Sequence, residues 1–221
     1  MTVRHASLFT LLRCFAQPIL TDRRGVQLIE FGIALPLLTT LSLAGAELTN
    51  YATTRMRVSA VAVHLADNAA RMGSGTLLTA KTVTETDIND VLTGGGMQGG
   101  NLDLYNRGRV ILSDLEPVTN PNTDNKFKIV WQRCRGTKTT HASGFGVAGA
   151  TNLSGIGRLK KFTAQDNNAT MFVEVYYEYK PLIRTSLSPS TTMVEIAAMS
   201  VRDRRDLTQI YNPSNAPKAA C

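Results

Sequence analysis

The spacing of hydrophobic and polar positions changes twice along the chain, and each change marks an element. From Val26 to Leu48 the residues are predominantly apolar, with Glu30 and Glu47 the only charges. As a helix this run spans roughly 30 Å, one hydrocarbon thickness, so it is expected to cross a membrane. A carboxylate well inside a bilayer costs about 2.5 to 3.5 kcal/mol and is seldom kept without a partner, which singles out Glu30. Pro36 lies in the same run, where membrane helices accept a proline and bend.

Past Leu48 the period becomes helical. Tyr51, Val58, Val61, Leu65, Ala69 and Met72 recur on one face, while Asn50, Arg55, Arg57, His64, Asp67, Asn68 and Arg71 take the other. The pattern predicts one helix from Val26 to Met72, stopped at Gly73-Ser74-Gly75. Residues 76–92 read as a connector with one or two helical turns, N-capped by Thr86 or Asp87. Gly94-Gly-Gly-Met-Gln-Gly-Gly100 reads as a flexible hinge. Its literal G-x-G-x-x-G lacks the preceding strand and following helix that dinucleotide binding requires.

Beyond residue 100 the period falls to two. Strands are expected over Arg109–Leu115, Lys126–Arg133, Met171–Tyr179 and Met193–Val201. They are joined by loops rather than helices, which argues for an antiparallel sheet. The fold class is therefore α+β, with one sheet face on the amphipathic half of the long helix. Residues 136–168, rich in Gly, Thr, Ser and Asn, are long for a structureless loop and yield no element by pattern. The segments run 1–25 as a basic leader, 26–48 as the membrane helix, 49–93 as a helical region, 94–100 as the hinge and 101–221 as the sheet domain with its tail.

The net charge is +7, of which four arginines against Asp22 give the leader +3. No basic stripe interleaved with aromatics follows, which argues against nucleic acid as a partner. Metalloprotease, hydrolase-elbow and phosphate-loop motifs are missing, so no catalytic residue, cofactor or small-molecule substrate is expected. Glu85, Asp87, Asn89 and Asp90 lack the spacing of a calcium loop, and capping and solubility account for them better; no metal is expected. His64 reads as solvated. Asp103, Asp114 and Glu116 are unpatterned acids that only tertiary structure can bring together.

Gly25 followed five positions on by Glu30, inside Arg-Arg-Gly-Val-Gln-Leu-Ile-Glu-Phe-Gly-Ile-Ala-Leu-Pro-Leu-Leu, resembles a type IV prepilin processing site. More narrowly it resembles the TadE-like branch of the tight-adherence (Flp/Tad) pilus proteins. The resemblance is specific over residues 24–48 and loose through about residue 72, and in the C-terminal half it lies mainly in Trp131-Gln-Arg-Cys134 and the terminal cysteine. It implies cleavage between Gly25 and Val26 by a membrane prepilin peptidase, with Arg23 and Arg24 holding the leader in the cytoplasm. It further implies that Glu30, next to Phe31, pairs with the new amine of a neighbouring subunit. The bland reading of Glu30 is an anion in the first helical turn.

The implied protein is a minor pilin-like (pseudopilin) subunit of a Tad/Flp-type pilus in the bacterial inner membrane. Its N-terminus would be cytoplasmic and its domain periplasmic, with lipid, the peptidase and other pilin subunits as partners. In an oxidising periplasm Cys134 and Cys221 are expected to bridge, the alternatives being an intermolecular bridge or free thiols. Two rivals remain for the apolar run. Ala44-Gly45-Ala46 has the form of a signal-peptidase site that would expose Glu47, and an uncut helix would anchor a periplasmic binding or enzymatic domain.

Overall fold

The computed structural model describes residues 25–76, 78–183 and 190–221. The chain divides into two units, Met1–Glu47 and Leu48–Cys221. Apart from Gly25, the expected leader lies outside the described residues, as does part of the loop before the last strand.

Helix α1, Val26–Arg71, provides most of the described part of the first unit and opens the second. In the first unit it meets the length and hydropathy of a membrane span, and none of that apolar stretch is buried by the protein itself. Leu28, Ile29, Phe31, Ile33, Leu37, Leu38 and Leu41 are each more than half exposed. The helix continues through Pro36, whose missing N–H leaves one carbonyl of the previous turn without its donor. The Thr39 hydroxyl donates to Leu35 O and that of Thr40 to Pro36 O, both at 2.9 Å. Such back-bonds satisfy a hydroxyl inside an apolar run.

The second unit is an α+β domain. The remainder of α1 buries Val58, Val61, Leu65 and Ala69 as the periodicity predicts, and also Ala62, Ala66 and Ala70, which widen the stripe. Helix α2, Glu85–Gly99, is followed by a 3-10 turn, Gly100–Leu102, and a single helical turn α3, Leu104–Arg107. Four strands follow: β1 Gly108–Pro117, β2 Phe127–Arg135, β3 Thr170–Glu178 and β4 Thr192–Ser200. Each lies where the alternation placed it, its ends displaced by one or two residues. They form one antiparallel sheet in the order β2-β1-β3-β4.

Each sheet face carries its own core. On the helix side Leu65, Ile88 and Leu92 pack with Val110, Leu112, Met171 and Val173. On the far side Phe172, Leu115, Phe127 and Ile129 are covered by Ile156, Phe145, Leu153 and Phe162. Residues 136–168 are thus a lid on the second face, without a named strand and tied down by isolated bridges such as Phe127↔Leu153 and Ile156↔Phe162. Their few apolar residues have no regular spacing because a loop, unlike a strand, need not present alternate residues to the same side.

Two local expectations are corrected. Helix α2 is capped by Thr84 and not by Thr86 or Asp87. Thr84 Oγ1 accepts from Asp87 N at 3.1 Å, and Asp87 Oδ2 accepts from Thr84 N at 2.9 Å, a reciprocal capping box. The hinge expected over 94–100 is instead the end of α2 and its exit. There glycine serves close approach: a Cβ added at Gly95 would stand 2.5 Å from Leu65 Cδ2. At Gly100, φ of 49° ends the helix in a conformation that favours glycine.

Candidate functional site

The processing motif stands at the start of α1. Gly25 sits in the turn that leads into the helix, and among the described residues no atom lies within 4 Å of a Cβ added there. Packing against the described residues therefore does not call for glycine there. Val26, Glu30 and Phe31 lie on the first turns of α1, all exposed. They share the outer surface with the apolar side chains already named, and the described residues give Glu30 no buried neighbourhood. Among the described residues a Cβ added at Gly32 would likewise meet nothing within 4 Å, as at small residues where another helix can approach closely.

Cys134 and Cys221 form a disulfide across 87 residues of chain, closing the tail onto the end of β2. Next to it Cys134 N donates to Ala219 O at 2.8 Å. The tail is held along its length by further bonds, among them Glu85 N to Tyr211 O and Asp206 N to Lys81 O. Its arginines do not form one solvated face: Arg202 is exposed, whereas Arg205 turns inward and donates Nη2 to Ala69 O and Met72 O at the end of α1. A cation there complements the negative end of the helix dipole.

The domain interior holds an unusual number of charges. Arg133 makes a two-pronged pair with Glu85, its Nε 2.8 Å from Oε2, and both side chains are nearly inaccessible. Glu174, on the far face, is 1% exposed. It meets His141 Nε2 at 2.9 Å and accepts from Ser143 Oγ at 2.8 Å, and His141 stacks on Tyr176. Serine, histidine and glutamate therefore converge, but with the carboxylate between the other two. A nucleophilic triad needs the imidazole in the middle to take the serine proton, so this cluster satisfies a buried carboxylate rather than activating a nucleophile.

Of the unpatterned acids, Asp103, at the start of α3, accepts from the Asn106 side-chain amide without capping the turn, while Asp114 and Glu116 do come together on β1. Standing two apart on one strand, they share a face by its alternation; the expected strand ended at Leu115, one residue short of Glu116. Among the described residues no group of three or more His, Cys, Asp or Glu is placed to hold a metal. Compared with known proteins, the chain matches no family model, no curated protein and no solved structure.

Proposed function

We propose that the chain is a minor pilin-like subunit of a tight-adherence pilus, inserted in the bacterial inner membrane and processed by a prepilin peptidase between Gly25 and Val26. One observation carries the reading. An acid stands five residues after a glycine that no described neighbour requires by packing, at the head of a helix whose apolar side chains have no cover among the described residues. Exposed apolar area of this extent calls for lipid or for neighbouring helices.

In this reading cleavage leaves a protonated amine at Val26, and Glu30, about one turn along, pairs with that of the next subunit. The pair enters the bilayer at less cost than a lone charge would. Lipid covers the helix until subunits pack, and the domain from Leu48 onward is periplasmic, where an oxidising environment suits the disulfide.

The test is the N-terminus of the mature protein, read by mass spectrometry on host membranes with and without the prepilin peptidase. A peptidase-dependent start at Val26 is expected. A start at Glu47, or an intact leader, would reject the proposal in favour of a secreted protein or a plain anchor.

A further inference from the structure

We infer that the outer edge of β4 is a docking site for an extended segment of a different protein subunit, added to the four-stranded sheet as a further strand. The ladder fixes which groups face outward. β3 and β4 pair without a register shift from Thr170↔Ser200 to Glu178↔Thr192. Just beyond the two ends, Val201 N donates to Ala169 O and Tyr179 N to Thr191 O. Both bonds join odd-numbered pairs, and hydrogen-bonded pairs alternate in an antiparallel ladder, so Met193, Glu195, Ala197 and Met199 spend their backbone groups on β3. Val194, Ile196 and Ala198 turn theirs outward. Among the described residues no hydrogen bond reaches those outward groups, and all three residues are only half-buried.

The opposite edge of the sheet shows how this chain closes an edge. On β2, Phe127 and Leu153 exchange two bonds, Ile129 N donates to Ala150 O, and Cys134 N donates to Ala219 O. A β-bulge interrupts its pairing with β1. Strand β4 has neither cover nor guard. Its nine residues hold no proline, glycine, lysine or arginine, and the single charge, Glu195, is taken by Arg55 Nε at 2.8 Å. Edges exposed to water carry charges, prolines or bulges against unwanted pairing. A regular edge without them is one kept for a partner strand.

The outward groups also choose the occupant. A row of N–H and C=O groups repeating every second residue is matched by another extended backbone, not by a helix. A second copy does not fit. Helix α1 runs in the same direction as β4, because Arg55 meets Glu195 within the strand and Asp67 meets Arg202 just past its end. Antiparallel self-pairing about Ile196 would therefore set two α1 helices antiparallel, which chains anchored in one membrane cannot do; this step alone rests on the membrane reading above. A parallel two-fold would set N–H against N–H at the same height. The occupant is thus a strand of another subunit. Ile196 and Ala198 pack on the Phe172 side of the sheet, which favours valine or isoleucine at the partner positions opposite them.

The probe is a fluorescein-labelled peptide amide, Lys-Thr-Val-Thr-Ile-Thr-Val-Thr-Lys, titrated by anisotropy against the intact chain in detergent micelles. Saturable binding is expected, with amide exchange at Val194, Ile196 and Ala198 slowed about tenfold and that at Ala197 unchanged. N-methylation of the valines and isoleucine, whose N–H groups face β4, should weaken binding at least about tenfold, whereas N-methylation of the threonines should not. Val194→Lys guards the edge and should weaken binding about tenfold. Val194→Pro removes an N–H that β3 does not use, and should do the same in a folded protein. Cleavage at Gly25 plays no part in these assays, so they fail or succeed independently of the N-terminal test. Absence of saturation, or undiminished affinity in both folded variants, overturns the inference. So does a dimer by light scattering that Val194→Lys dissociates, since it would give the edge to a second copy.

Discussion

The two units arrange their side chains in opposite senses. The described part of the first exposes leucine, isoleucine and phenylalanine around the helix, while the second buries Glu85, Arg109, Asp114, Glu116, Arg133 and Glu174. Both arrangements leave groups in an unfavourable environment unless a partner is supplied. In the domain most of the partners lie among the described residues, Arg133 for Glu85 and His141 with Ser143 for Glu174, while Asp114 Oδ1 is left without a hydrogen bond there. For the apolar helix the described residues supply none. The contrast separates a part built to be complete from a part built to be completed.

The completeness of the domain is tested most severely at its disulfide. Closing a loop of 87 residues is worth about 4 to 5 kcal/mol in the chain-entropy model. Cys221→Ser should lower the denaturation free energy of the domain by about that amount, measured in urea by Trp131 fluorescence. A loss under 1 kcal/mol would mean that the other tail bonds suffice.

Next in size is the buried ion pair. Arg133→Met strands Glu85 without its partner and should cost about 3 to 5 kcal/mol, whereas adding Glu85→Leu should recover most of it. If the double variant is no better than the single one, the pair is not the internal compensation described here.

The contrast is sharpest along α1 itself. Leu65→Ala empties part of the helix-side core and should cost about 2 to 5 kcal/mol, while Leu37→Ala should leave the domain's unfolding midpoint where it was. A similar loss from both would mean that the first unit supports the second.

The smallest effect is in pH. Because the folded state raises the Asp114 carboxyl above its unfolded value, its contribution to stability is complete below the unfolded pKa of about 3.9 and is lost as pH rises through the folded value. Asp114→Asn should therefore equal the parent near pH 3.5 and exceed it in stability at pH 7, in paired denaturation curves. An equal deficit at both pH values would show that the carboxyl is not held neutral by the fold.

Local periodicity determined the positions of α1 and the four strands, because burying one face of a helix or strand imposes a repeat of 3.6 or 2 on the residues themselves. The exposed apolar run and the Gly25 to Glu30 spacing were legible for the same reason, being contiguous. Residues 94–99 were misread as a hinge because glycine's flexibility is a local property, while its fit against Leu65 is a contact between distant residues. The lid of residues 136–168 left no pattern, since it covers Phe172 with side chains whose order along the chain is free. The meeting of Asp114 with Arg205 and the inward turn of the tail depended on strand register and chain crossing. Those are set by which surfaces bury one another, a choice made only when the whole domain closes.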